Sequence, residues 1–164
     1  MEVDLGIENL PDAEPEIELA VKSMFLELLR ICPLEPEPRL RVKESEHASC
    51  YGAKNDTIYI CVPQDSELPT VEEFREILPQ PHSWSGMVSE IVEEFIHAYQ
   101  GRLGNTESSA DAHRVSGQYG RSFEGEGHDA RFFEATLRFA RCAGVQEQAI
   151  IGAMVGRIAS DYGG

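Results

Sequence analysis

The segment SEIVEEFIHAYQ, residues 89–100, decides how the rest of the chain is interpreted. On a helical wheel its polar side chains form one narrow stripe, and most of the remaining wheel is apolar. Such a broad apolar arc predicts a helix, from about residue 87 to residue 102, that is largely embedded in the protein. The stripe leaves two interpretations open, a solvated face or a face turned towards a cleft. Its members are Glu90, Glu93, Glu94 and His97.

The spacing of Glu93 and His97 is compatible with a metal site in such a cleft. Side chains four residues apart lie on one side of a helix, so this pair could bind a single ion. A catalytic zinc site also needs a third protein ligand and one open position. The segment EGEGHDARFFE, residues 124–134, offers His128 between a glycine and the start of a predicted helix. His113, in the preceding loop, is the alternative third ligand.

Three short motifs make the chain resemble the SprT-like zinc metalloprotease family, within the wider zincin or minimal gluzincin-type group. TIYICVP, residues 57–63, is similar to the strand that precedes the motif helix of the family. The segment HAY, residues 97–99, is similar to the end of that motif, and GHDARF, residues 127–132, resembles the family's glycine–histidine turn. The resemblance extends over about residues 16–143.

The resemblance implies a zinc-dependent peptidase, which is a hydrolase. It assigns the general base to Glu94, the second metal ligand to His97 and the third to His128. Glu93 stands where the family has the first histidine of its H-E-x-x-H motif. Because a carboxylate is a harder ligand than an imidazole, Mn(II) or Fe(II) would suit this site as well as zinc.

Three kinds of function therefore stay open. The first is a metal-dependent hydrolase that acts on peptides or proteins. The second is a catalytically inactive, zincin-like binding module that has lost its first metal ligand, and the third is a small acidic interaction domain whose polar stripe is solvated. Further candidates for ligands, hydrogen-bond acceptors or oxyanion donors are Glu124, Glu126, Glu134, Tyr119 and Tyr99, with packing favoured for Tyr99.

Hydrophobic periodicity predicts one α+β domain over residues 16–164, after a flexible acidic lead-in over residues 1–15, and the resemblance implies that this domain is zincin-like. An N-terminal helix ends at about Ile31, and a small antiparallel-rich sheet follows. The sheet combines a strand in RLRVKESE with a hairpin in ASCYGAKNDTIYICVP. After the motif helix we expect a long loop with one short helix, and then C-terminal helices. The predicted bounds are 101–128 for the loop, 108–115 for its short helix and about 128–144 for the next helix, while VEEFREIL forms a short helix before the motif.

Composition restricts the partners. The 164 residues carry a net charge of −15, from 29 acidic and 14 basic side chains. Such a chain repels phosphate backbones, so direct nucleic-acid binding is not expected. No apolar run approaches the roughly 18 residues that a membrane helix needs. The acidic N-terminus lacks the features of a secretory signal, so we expect a cytoplasmic protein.

The four cysteines are not arranged as a metal-binding motif, because none forms a C-x-x-C pair. We expect free thiols. Cys50 and Cys61 are symmetric about residues 55–56, so they could face each other across the predicted hairpin, and a bridge between them stays open.

Overall fold

The computed structural model describes residues 6–104, 106–119 and 128–163. Within these residues the chain combines helices with one small sheet, as predicted for an α+β protein. Helix α1 spans Pro15–Ile31, and strands β1, β2 and β3 span Arg39–Glu44, Cys50–Gly52 and Thr57–Val62. Helices α2 to α6 then span Val71–Ile77, Gly86–Leu103, Ala110–Tyr119, Ala130–Ala143 and Glu147–Gly163, and a 3₁₀ turn at Pro81–Ser83 precedes α3.

Local sequence signals explain where the helices begin and end. The Thr70 side chain and Glu73 form a reciprocal capping box at the start of α2. Ser85 accepts a hydrogen bond from the Val88 amide at the start of α3. Gly144 ends α5 with a φ of 68°, a left-handed conformation that glycine adopts without a steric penalty. The motif helix, α3, therefore begins within one residue of its predicted position.

The sheet is mixed, so the prediction of an antiparallel-rich sheet is wrong. Its order is β1-β3-β2, and β3 pairs with β1 in parallel over six residue pairs but with β2 in antiparallel over three. Residues 45–49 connect the end of β1 to β2, which lies on the other side of β3 at the opposite edge of the sheet. The hydrophobic alternation that identifies a strand does not specify its neighbour, which is why the pairing was predicted incorrectly.

The pairing register of the β2–β3 hairpin differs by two residues from the predicted symmetric one, and the centre of its turn lies one residue earlier. Cys50 pairs with Tyr59 rather than facing Cys61, and Gly52 pairs with Thr57. The intervening residues 53–56 form the turn, which ends at Asp56 with a φ of 52°. All four cysteines are thiols rather than disulfides, as expected, and the possible Cys50–Cys61 bridge is not formed.

Residues 6–14 pack against the sheet instead of forming the loose lead-in that we expected. Ile7 is fully buried beside Tyr59 and Cys61. The ammonium of Lys43 on β1 forms an ion pair with Asp12 at 2.8 Å. Every residue of β3 is buried. Ile58, Ile60 and Val62 face the main core, and residues 6–14 cover the other face of the strand.

The main core is built around α3. Phe95, which is fully buried, contacts Phe25 of α1 and Phe139 of α5 with ring centroids 6.3 and 5.8 Å apart. One side of α3 is thus held against α1 and α5, and it also contacts β3 and α6. This packing fixes the direction of the polar stripe.

In the described part of the chain, every helix is either too short or too polar to cross a membrane.

Candidate metal centre

Two side chains from the middle of α3 and one from the residue before the α5 cap meet at one point. Glu93 and His97 lie one turn apart on α3, and His128 lies just before α5. The Nε2 atom of His128 is 3.0 Å from Oε2 of Glu93 and 3.2 Å from Nε2 of His97. The third side of this triangle, between His97 Nε2 and Glu93 Oε2, measures 3.6 Å. The structure thus brings together the three residues that were predicted as metal ligands.

The size of this triangle suits a metal ion. Ligand atoms at about 2.0–2.1 Å from a tetrahedral zinc ion lie about 3.3–3.4 Å from one another. The observed separations of 3.0, 3.2 and 3.6 Å scatter around that value. Two imidazole nitrogens and one carboxylate oxygen are also a usual ligand set for divalent metals. Glu93, His97 and His128 could therefore hold a metal ion.

The polar stripe of α3 is not a solvated surface. Glu93 and Glu94 expose only 5% and 4% of their surface, although both are charged side chains. This burial contradicts the solvated-stripe interpretation, because unpaired carboxylates are rarely buried to this degree. Both residues line a cleft of about 540 Å³ together with His97 and His128. The wall of the cleft also includes residues 47–51, which lead into and begin the edge strand β2.

Gln100 determines which nitrogen of His97 carries the proton. Its amide nitrogen donates to Oδ1 of Asp129 at 3.2 Å, since a carboxylate only accepts hydrogen bonds. The amide oxygen of Gln100 is consequently the atom 3.1 Å from His97 Nδ1, and Nδ1 must be the donor. In the neutral ring this leaves the lone pair of Nε2 directed at Glu93 and His128, which is the tautomer that binds metals.

The position of His128 follows from the start of α5. The Asp129 carboxylate accepts hydrogen bonds from the Arg131 and Phe132 amides and so caps this helix. Phe132, which is fully buried, lies against both imidazoles, with centroid distances of 4.8 Å to His97 and 4.9 Å to His128. The helix cap and this aromatic ring therefore hold the two histidines on the same side of the cleft.

Arg157, from α6, reaches the other oxygen of the Glu93 carboxylate. Its Nε donates to Glu93 Oε1, and its Nη2 lies 3.7 Å from a carboxylate oxygen of Glu90. Burial raises the pKa of Glu93, but the hydrogen bond from His128, the neighbouring His97 ring and the charge of Arg157 outweigh it. The pKa of this carboxyl therefore lies well below its usual range, and Glu93 is ionised at neutral pH.

The charges around the triangle favour a cation. Glu90, Glu93 and Glu94 bring three negative charges onto little more than one turn of α3. Arg157 offsets part of this charge, and a divalent ion in the triangle would bring further positive charge to the same place. Such crowding of carboxylates in a largely buried place is unfavourable without further positive charge.

The remaining sequence candidates have other positions. His113 is exposed on α4 and does not line the cleft, so it is not brought to the triangle. Glu134 is buried but pairs with Arg138 at 2.7 Å and accepts from the Ser109 amide at 2.9 Å, which fixes the start of α4. Tyr99 packs against the main core, as expected. Glu124, Glu126 and the side chain of Tyr119 lie outside the described residues.

Two residues at the site had not been predicted, Gln100 and Arg157. Gln100 belongs to the motif segment itself and lies three residues after His97, so helical geometry could have placed it beside that ring. Arg157 had no comparable signal, because its approach to Glu93 depends on how α6 packs.

Comparison of the chain with family models, with curated proteins and with solved structures finds no match. Its chemistry must therefore be inferred from its own residues.

Proposed function

We propose that the chain is a metal-dependent hydrolase that cleaves peptide bonds, with Glu93, His97 and His128 as ligands of a zinc ion. The observation that carries this proposal is the triangle formed by the three ligand atoms, with Glu94 in the same cleft. Two histidines and one carboxylate are a known ligand set of zinc peptidases. The same set also suits Mn(II) and Fe(II), which remain alternative ions.

The residues of the cleft have distinct roles in this proposal. A bound zinc ion would supply a Lewis acid that acidifies water and polarises a carbonyl group. The Glu94 carboxylate, adjacent to the first ligand, would accept the proton of the attacking water and then pass it to the leaving amine. Gln100 would keep the Nε2 lone pair of His97 available by holding the proton on Nδ1.

The choice of a peptide as substrate rests on the sequence motifs and on the wall of the cleft. The strand β2 lies at an edge of the described sheet, and Cys50 and Tyr51 of this strand line the cleft. An extended peptide could pair with such an edge and bring a peptide bond close to Glu94.

A second candidate is an inactive binding module, and the contact between Arg157 and Glu93 favours it. A guanidinium can satisfy a carboxylate that has lost its metal. In that case the cleft would bind a peptide without cleaving it.

A peptidase assay with the metal-loaded protein and the Glu94→Gln variant separates these candidates. We expect the variant to keep its metal but to lose activity by about 10²–10⁴-fold, which is the usual contribution of a general base. Glu107→Gln, at an exposed position, is the matched control and should retain full activity. Equal activity of Glu94→Gln and the wild type would exclude Glu94 as the base, and a wild type that binds metal but cleaves no peptide would favour the binding module.

A further inference from the structure

The two oxygens of the Glu93 carboxylate have different partners. Oε2 lies 3.0 Å from His128 Nε2, whereas Oε1 accepts a hydrogen bond from Arg157 Nε. The ion pair between Glu93 and Arg157 is largely shielded from solvent, since the two side chains are 6% and 21% exposed. One oxygen is therefore available to an ion in the triangle, while the other is engaged by a permanent cation.

This arrangement alters the charge that Glu93 brings to the site. A carboxylate ligand carries one negative charge, whereas the imidazole that it replaces in the resembling family is neutral. The guanidinium of Arg157 is always protonated in proteins, and it is hydrogen-bonded directly to this carboxylate. The pair of Glu93 and Arg157 is therefore neutral as a whole, as an imidazole ligand is.

We propose that Arg157 is a positioning residue that converts Glu93 into a neutral, monodentate ligand and thereby weakens the affinity of the site for divalent cations. This inference rests on the proposed metal site. Occupation of Oε1 by Arg157 prevents Glu93 from binding the ion through both oxygens. The affinity for the divalent ion is reduced because the positive charge of Arg157 repels that ion at short range.

Two effects of removing Arg157 oppose each other, and the geometry indicates which is larger. Loss of its hydrogen bond would free the Glu93 side chain and so weaken metal binding. However, α3 already fixes the backbone of Glu93, and the buried position of this side chain limits the other orientations that it could adopt. The removal of a like charge next to the ion should therefore dominate, and metal affinity should rise.

The test compares Arg157→Gln and Arg157→Lys in the full chain, each also combined with Glu93→His. Zinc affinity is measured by competition with a chromogenic chelator, and the coordination by the absorption spectrum of the Co(II) form. We expect Arg157→Gln to bind zinc about tenfold more tightly, a change of about 1.4 kcal/mol. Its Co(II) spectrum should change as Oε1 becomes available, whereas Arg157→Lys, which keeps the charge, should remain close to the wild type.

The Glu93→His background separates the charge of Arg157 from its hydrogen bond to the Glu93 carboxylate. In this background the ligand at residue 93 is neutral, so Arg157 affects the ion only by repelling it. The double variant Glu93→His/Arg157→Gln should therefore bind zinc more tightly than Glu93→His alone. Equal or weaker zinc binding after loss of Arg157, in both backgrounds and with an intact circular dichroism spectrum, would overturn this inference alone. A wild type that binds no zinc would overturn the proposed metal site and this inference together.

Discussion

The Nε2 atoms of His97 and His128 lie 3.2 Å apart, although 31 positions separate the two residues in the chain. Because Gln100 holds the proton of His97 on Nδ1, the hydrogen between these two nitrogens belongs to His128. That single proton, shared with Oε2 of Glu93, lies where a metal ion would bind. Metal binding should therefore release a proton from the site.

Removal of His128 should abolish tight metal binding. His128→Ala takes away one corner of the triangle, and we expect zinc affinity to fall by more than about 100-fold, beyond the 10–100-fold typical of residues that only support a ligand. Chelator competition measures this change. His113→Ala is the matched control, since His113 is exposed on α4, and it should bind zinc as the wild type does. Equal losses in the two variants would contradict the assignment of His128.

Gln100 should influence metal affinity without touching the ion. Gln100→Leu removes the acceptor of the His97 Nδ1 proton and the link to Asp129. Zinc affinity should decrease by about 10–100-fold, because the ring loses its orientation and fixed tautomer. The exposed Gln118 on α4 offers the control Gln118→Leu. A Gln100→Leu protein that is folded and binds zinc normally would show that the contact is incidental.

The buried carboxylate of Glu134 should make stability depend on pH. Burial raises its pKa, but hydrogen bonds from Arg138 and Ser109 lower it further, to about 2 from a usual 4.5. Since the folded-state pKa is the lower one, the stabilisation is complete above about pH 4.5 and is lost as the pH falls towards 2. We expect Glu134→Gln to reduce the free energy of unfolding by about 1–3 kcal/mol at neutral pH.

Urea unfolding at several pH values measures this effect. The difference between the wild type and Glu134→Gln should shrink as the pH is lowered from about 6 to about 3. Glu107→Gln, which replaces an exposed glutamate, should show little difference at any pH. A Glu134→Gln difference that is constant over this range would mean that the ion pair with Arg138 does not stabilise the fold.

The sequence predicted most helices and the pair of Glu93 and His97 because these depend on local spacing, whereas His128 was preferred over His113 because of the resemblance of residues 127–132 to a family turn. Glu93 and His97 are related by one helical turn, and His128 precedes a helix whose cap, Asp129, is a standard signal. The neighbours of each strand were not predictable in this way. Whether β1 lies beside β3 or β2 depends on long-range packing, and the sequence pattern is compatible with either.

Two other features depended on tertiary structure. Ile7 lies in a short acidic segment with few apolar residues, so its burial depends on the second face of β3, which the segment itself cannot reveal. Arg157 lies on a helix whose apolar pattern predicts burial of one face but not the residue that its polar side will meet. Its contact with Glu93 changes the interpretation of the altered motif, because the carboxylate is paired with a fixed cation and does not stand alone.

The most direct test of the metal centre is the metal content of the protein purified without added metal, followed by titration with zinc, Mn(II) and Fe(II). We predict about one divalent ion per chain in the wild type, bound before or during titration, and none in His97→Ala. His113→Ala should retain the ion. A folded wild-type protein that contains no metal and binds none of the three ions would contradict the proposal that Glu93, His97 and His128 form a metal site.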